Sequence, residues 1–414
     1  MTRRKAYVVG AGLAGLSAAV RLSAAGRDVR LYESAPQAGG RCRSYFDKTL
    51  GLTIDNGNHL VLSGNRETMA FLGLVGAADR LTGPGRAEFS FLDLATMERW
   101  TLRINDGRLP WWLLSPSRRM PGTRAQDYLG LARLMVARAG ATIGETIATA
   151  GPVYDRMLRP ILVSALNSEP RTASAALAGA IMRGSLAKGG AACRPLVAAK
   201  NLTETFVAPA LAYVSAKGGA FHAGRRVTAI GCEDGRAASI AIGGERVELA
   251  PDDAVVIAVP PAAAVDLLQG LDAPSSFNAI VNGHFAMRPP PGAPPILALL
   301  NASAEWIFSA GDRISVTVSD AGALLAEPHE DLARLLWTDV AKALSLPSEL
   351  PPWRIIVEKR ATFAATPEQN RRRPPARTRW RNLTLAGDWT QTGLPATIEG
   401  AIGSGRAAAE ALGR

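Results

Sequence analysis

The sequence predicts an α/β protein of two domains, one drawn from separate stretches of chain around a Rossmann-like parallel sheet, the other mixing a sheet with helices. Three observations predict it. The chain opens on a strand, a glycine turn and a helix, AYVVGAGLAGLSAAVRL (6–22). It closes on another strand–turn–helix, LTLAGDWTQTGLPATIEGAIGSGRAAA (383–409). Between them, alternating strand-like runs are interleaved with helical runs rich in small residues. With 414 residues and 47% apolar content there is enough material for two cores.

The first turn carries the most chemistry. Residues 6–9 are a short buried-strand run, GAGLAG (10–15) follows at once, and the next helix is closed by Gly26. Gly10 permits the tight turn, Gly12 a close approach to a pyrophosphate, and Gly15 close packing of helix on strand. The helix start, Leu13 and Ala14, offers free amides and the positive end of the dipole to the anion. A second strand (28–33) ends at Glu33, 18 residues past Gly15, placed with Ser34 to meet ribose hydroxyls. The turn by itself leaves NAD and FAD open.

The next segments favour FAD. ESAPQAGGRCRS puts Gly40 and Arg41 after a second close backbone approach, with a cation for phosphate oxygens. IDNGNHLV (54–61) follows with Asp55, Gly57, Asn58 and His59. A flavin dinucleotide is too long for one turn. The C-terminal run supplies a second hold: Gly387 and Asp388 end a strand and offer a carboxylate to a ribityl hydroxyl. A helix starting near Pro395 or Ala396 presents the Thr397 and Ile398 amides to the flavin O2/N1 edge, where reduction places negative charge.

Together GAGLAGLSAA, YESAPQAGGR, DNGNH and LAGDWTQTGLPATIEGAIGSG resemble the FAD-dependent amine oxidase and phytoene desaturase superfamily. DNGNHLVLSGN, RPILVSALNSEPRTASA, KNLTETFVAPALAYVSAKGGAFHAGRRVTAI and VIAVPPAAAVDLL make the chain most similar to its hydroxysqualene dehydroxylases, over nearly its whole length. ALNSEP departs from the Thr-Pro-Pro-like run expected there. The resemblance implies FAD as cofactor, with Val227 touching adenine through its backbone and Asn58 and His59 on the flavin side. It implies reductive dehydroxylation of hydroxysqualene to squalene, in squalene and hopanoid biosynthesis, by loss of water and hydride transfer. His59 is the candidate general acid or flavin contact. Partners implied are a long-chain isoprenoid, a bilayer or an upstream synthase that hands it over, and an electron donor the sequence does not identify. Three rivals stand beside this: a carotenoid-type desaturase removing hydride, an amine oxidase, and a non-catalytic prenyl-lipid binding protein. An amine oxidase often has a lysine near the flavin, and none of the seven lysines matches such a position.

The expected division is 1–84, 216–270 and 371–414 for the FAD-binding domain, with 85–215 (largely helical) and 271–370 (sheet plus helix) for the substrate domain. Within these, 85–104 alternates like a hairpin, and 142–215 reads as several close-packed helices. The run 220–230 reads as one strand returning to the FAD domain, 254–264 as a buried strand ending in Pro-Pro, and 328–345 as a helix. PWWLLSPSRRMPGTR (110–124) sets Trp111, Trp112, Leu113 and Leu114 beside Arg118, Arg119 and Arg124. It suits either a membrane-touching lobe or a loop before an amphipathic core helix. The basic run 368–382 reads as a solvated connector.

Composition narrows the classes. The charge of +11 is almost all Arg, which suits an anionic surface or reflects composition alone. Aromatics are sparse and not interleaved with the basic residues, so a nucleic-acid partner is not expected. Cys42, Cys193 and Cys232 form no CxxC, as for free thiols in a reducing cytoplasm. With four scattered histidines, no metal site is expected. The basic, apolar start resembles a signal peptide, but its glycines are those of the turn. No apolar run reaches the ~18 residues of a spanning helix, so a cytoplasmic protein, at most peripheral on the inner face of the membrane, is expected.

Overall fold

The structure, a computed structural model, describes residues 4–413. Its first sheet has five strands in the order Ala220–His222, Asp28–Tyr32, Lys5–Val9, Ala254–Ile257, Leu383–Leu385, all parallel. Strands from three separated stretches of the chain, 5–32, 220–257 and 383–385, thus make one sheet. The β-branched and aliphatic content of these short runs suits strands buried on both faces. On it lie the helices Leu13–Ala24 and Ile398–Ala411. They approach closely because a Cβ on Gly405 would stand 2.2 Å from the Ala14 carbonyl, and Ser17 Oγ donates to the Ile402 carbonyl at 2.7 Å. The first and last helices of the chain are therefore bonded neighbours.

Two expectations shift here. The run 220–230 is not one strand. Ala220–His222 completes the parallel sheet, Gly224 turns the chain at φ +67°, and Val227–Glu233 opens a separate antiparallel meander with Arg236–Ile242 and Glu245–Glu248. The strand before Pro-Pro ends at Ile257, and Pro261 instead takes the first position of the helix Pro261–Leu267, where its missing N–H has no partner to lose.

The second sheet has seven strands: Trp353–Phe363, Phe277–Phe285, Arg313–Val318, Trp306–Ala310, Ile296–Leu300, Glu88–Asp93, Arg99–Arg103. Neighbours are antiparallel except Ile296–Leu300 with Glu88–Asp93. The 85–104 run does form a hairpin, and that hairpin is stitched into the sheet of the 277–363 segment. One sheet face carries the amphipathic helix His329–Leu344 on Val281, Phe285, Ile307, Ile314 and Val316. The other turns toward a lobe of short helices, among them Leu129–Met135, Arg159–Leu166 and Ala175–Gly184. A Cβ on Gly179 would lie 2.2 Å from the Leu134 carbonyl, so a small residue sets that helix contact.

The WWLL run divides. It forms a short 3-10 turn (Trp111–Leu114) pinned by Trp112 N donating to Asn105 Oδ1 at 3.0 Å. Trp112 is buried edge-on against Tyr128, contrary to its expected exposure, and Leu113 is half-buried. Trp111 and Leu114 remain 61% and 63% exposed.

Candidate active site

The glycine turn has the shape that a bound pyrophosphate needs. Gly10 sits at φ +101°, and a Cβ on Gly15 would fall 1.8 Å from the Gly10 carbonyl. Around Gly12 the opposite holds: no protein atom lies within 4 Å of where its Cβ would be. That open space stands over the start of Leu13–Ala24, whose N-cap is Gly12 and which no side chain caps. The first-turn amides of Leu13 and Ala14 are thus left for an outside acceptor. From the other side Gly39 N donates to the Ala11 carbonyl at 2.8 Å, and Gly40 comes so near that its Cβ would be 3.4 Å from Gly12 Cα.

Glu33, expected to meet the ribose, lies beside the glycine turn. Its Oε2 accepts from Ala11 N and its Oε1 from Ala35 N, each at 2.9 Å, with exposed Ser34 donating to Oε1 at 3.2 Å. Backbone bonds from Glu33 N to the His222 carbonyl and from Arg225 N to the Glu33 carbonyl bring the 222–227 segment alongside. Val227, buried, follows immediately.

Among the residues expected at the flavin, Arg41 Nη2 pairs with Asp388 Oδ2 at 2.7 Å, and Nη1 donates to the Ala361 carbonyl. The Arg41 side chain keeps 42% of its accessible surface beside buried Asp388. Gly387, at φ +150°, gives its amide to Ser404 Oγ of the last helix at 2.8 Å. That helix starts at Ile398 rather than near 395. Thr397 is its N-cap, and its hydroxyl accepts from Gly400 N at 3.1 Å. The Thr397 side chain is therefore committed to capping, and backbone amides are what this terminus has for a ligand. Glu399 is committed elsewhere, accepting from Glu67 N and Thr68 N at the start of the helix Arg66–Leu74.

Asn58 Nδ2 donates to Thr317 Oγ1 at 3.0 Å and to the Val316 carbonyl at 3.2 Å, tying the DNGNH loop to the seven-stranded sheet. His59 is half-buried and feels the charges of Asp55 and Arg41. Burial pushes its pKa below the ordinary histidine value, and the Arg41 charge adds to that against the opposing pull of Asp55. A neutral imidazole is a poor proton donor.

Two buried polar residues of this region were not singled out from sequence. Arg373, expected in a solvated connector, is 3% exposed and bonded to the Asp388 and Thr390 carbonyls. Nothing in RRRPP distinguishes it from its neighbours. Asn282 is 2% exposed inside FNAIVNGHF. Asn282 and His284, two residues apart on one face of the strand Phe277–Phe285, are the signal the sequence offers, with a third polar residue, Asn278, near its start. The buried thiols Cys42 and Cys193 are each pushed by desolvation up to about 12, which leaves them unreactive. Among the described residues no cluster could hold a metal ion.

His284 yields a pH prediction. It is fully buried with Nδ1 on Ser315 Oγ at 2.8 Å, and desolvation, then Arg313, lowers its pKa to about 3. The unfolded chain binds this proton near pH 6.5, so stability falls as pH drops below that, by about 2 kcal/mol at pH 5. Glu305, raised by burial to about 7, works in the opposite sense between pH 7 and 4.5. The His284 contribution therefore shows in a difference: His284→Asn should lose about 2 kcal/mol less than wild type between pH 6.5 and 5 in urea unfolding. Equal losses would refute it.

A family model for flavin-containing amine oxidoreductases matches residues 13–413. The chain is 49% identical over 405 residues to the hydroxysqualene dehydroxylase of Rhodopseudomonas palustris, covering 98% of this chain and 97% of that protein. To the hydroxysqualene dehydroxylase of Sinorhizobium fredii it is 47% identical, with 98% of each covered. Among solved structures, an oxidoreductase of Methanosarcina mazei superposes with TM-score 0.72 at 16% identity, covering 98% of this chain and 100% of that one. Cyclohexylamine oxidase of Brevibacterium oxydans gives 0.69 at 16% identity, with 99% of each covered. These two establish likeness of fold. Among the described residues no helix is long and apolar enough to cross a membrane.

Proposed function

Because the chain belongs to the flavin-containing amine oxidoreductases and, within them, to the hydroxysqualene dehydroxylases, we propose that this FAD-dependent oxidoreductase converts hydroxysqualene to squalene. What supports the reading above all is that near-complete likeness to named dehydroxylases coincides with an intact two-ended cofactor cradle. Gly12, Glu33, Arg41, Gly40 and Asp388 would hold FAD, with Leu13, Ala14 and Ile398 giving amides and Ser34, Asn58, His59, Val227 and Thr397 beside them. Reduced FAD, when bound, supplies the hydride. The substrate is an allylic alcohol: its C–O bond breaks, the oxygen leaves as water with an added proton, and hydride fills the resulting cation. The chain's part is to keep that site dry and to hold the oxygen. An apolar sheet face and helical lobe serve the first need. A placement within squalene and hopanoid synthesis follows from the same reading. The non-catalytic lipid-binding alternative has no use for so complete a cradle.

A C30 substrate prefers a bilayer to water by about 20 kcal/mol, at ~0.8 per CH2, so it must come from a membrane or a partner enzyme. Leu109, Trp111, Leu114, Leu129 and Val136 are exposed in the same segment as exposed Arg108, Arg118, Arg124, Arg133 and Arg138. That mixture suits an anionic bilayer surface.

The test is anaerobic. Protein loaded with FAD and reduced by dithionite is given hydroxysqualene in vesicles with or without phosphatidylglycerol. The expected result is flavin reoxidation with squalene as product, faster on the anionic vesicles. Stable reduced flavin with unchanged substrate rejects the dehydroxylase reading. Equal rates on both vesicles reject the anionic docking.

A further inference from the structure

Across the seven-stranded sheet, residues directly opposite one another share a face. From Asn282, whose neighbour on the edge strand is Ile356, one such row continues Thr317, Trp306, Ala298, Phe91, Trp100. The next row on that face has the same order of character: His284, Ser315, Phe308, Ile296. Polarity therefore changes across the sheet and not along its strands. The polar end abuts the Asp55–His59 loop through Asn58 and Gly57, which the proposed function puts at the flavin end. The other end is a buried aromatic cluster, with Phe91 stacked on Trp100 at 5.4 Å and tilted on Trp306 at 6.4 Å, and Arg156 over the Trp100 ring at 4.3 Å. Five strand spacings of ~4.8 Å make the row roughly 24 Å long.

The polar end is wired in one direction. Asn58 Nδ2 donates to Thr317 Oγ1, so the threonine proton is free to go on to Asn282 Oδ1, 2.9 Å away. Asn58 N also reaches that oxygen, at 3.4 Å. With Oδ1 taken as acceptor, the Asn282 amide cannot be flipped, and its Nδ2 faces away from Thr317. Among the described residues Nδ2 has no acceptor, although Asn282 is 2% exposed. Beside it is Gly57, where a Cβ would stand 3.3 Å from Nδ2. Nδ2 is not sealed within the protein, and glycine at 57 is the residue that leaves it open.

We propose that Asn282 Nδ2 donates to the hydroxyl oxygen of the isoprenoid, holding the C–O bond at the flavin end. This rests on the dehydroxylase reading. The amide keeps its protons throughout. It binds and orients the oxygen and so distinguishes alcohol from hydrocarbon, ligand from product.

The experiment titrates oxidised holoenzyme, which cannot turn over, with hydroxysqualene and separately with squalene in detergent, following the flavin spectrum. Wild type should bind the alcohol more tightly. Asn282→Leu should weaken the alcohol roughly 10- to 100-fold and leave squalene within about twofold. Gly57→Ala should shift the alcohol the same way by less. FAD content and the unfolding midpoint report whether each variant has folded, and Asn282→Ser serves if the leucine variant has not. An unchanged preference in a folded variant, or equal weakening of both ligands, overturns the assignment. A wild type that converts hydroxysqualene while binding both ligands alike overturns the assignment and leaves the reaction standing. A wild type that neither prefers nor converts hydroxysqualene overturns both.

Discussion

Gly12→Ala should purify colourless and yet unfold like cofactor-stripped wild type. The expectation follows from the contrast between two glycines three residues apart. At Gly12 the backbone is at φ −72°, ordinary for alanine, and the added methyl would touch no protein atom within 4 Å. It would occupy only the space where a pyrophosphate meets the helix start. FAD affinity should therefore fall at least 100-fold, about 3 kcal/mol, with apoprotein stability within ~0.5 kcal/mol of wild type. At Gly15 a methyl would fall 1.8 Å from the Gly10 carbonyl and 3.2 Å from the Ala258 Cβ. Gly15→Ala should push helix from strand and destabilise the apoprotein itself by about 2–4 kcal/mol. Flavin absorbance per protein and urea midpoints of the stripped proteins separate the two effects. A yellow Gly12→Ala protein would mean that the cofactor does not pass over Gly12.

The same contrast explains what the sequence made legible. The two ends of the fold were readable because close backbone approach restricts those positions to glycine, and chain spacing then fixes the acids. Glu33 and Asp388 stand where the turns place them. The hairpin 88–103 and the helix 329–344 were readable from period, one alternating and one amphipathic. Sheet membership was not. Nothing local says that Glu88–Asp93 pairs with Ile296–Leu300, some 200 residues on, because strand pairing is a long-range choice. The side chains of Trp111 and Trp112 are alike in sequence and opposite in burial, since one hydrogen bond to Asn105 sets which of them faces Tyr128. Asn282 was legible as an anomaly, a polar residue within a strand core, but its role needs Thr317, Asn58 and Gly57 from two other segments. Arg373 was not legible at all.

Replacing Arg373 by methionine should cost about 3–5 kcal/mol and loosen the flavin end of the cradle. The guanidinium is buried without a carboxylate in contact. Nε donates to the Thr390 carbonyl at 2.8 Å, Nη1 to Asn370 Oδ1 at 3.0 Å, and Nη2 to the Asp388 carbonyl at 3.0 Å and Thr392 Oγ1 at 2.6 Å. It also lies over the Phe363 ring at 4.9 Å. Desolvation lowers its pKa to about 10, which still leaves it a cation at neutral pH. These contacts fold the 388–392 loop back on residue 373, and that loop joins the strand Leu383–Leu385 to the helix Ile398–Ala411. Asp388 faces Arg41 only while the loop keeps its shape. Methionine fills much of the volume but strands two buried carbonyls. Lysine keeps the charge but cannot reach four acceptors in one plane, so Arg373→Lys should restore only part of the loss. Arg371, two residues earlier and exposed, is the control: Arg371→Ala should change stability by less than ~0.5 kcal/mol. Urea unfolding and FAD retention after gel filtration measure both consequences. An Arg373→Met protein as stable and as yellow as Arg371→Ala would show that the loop holds its shape without this cation.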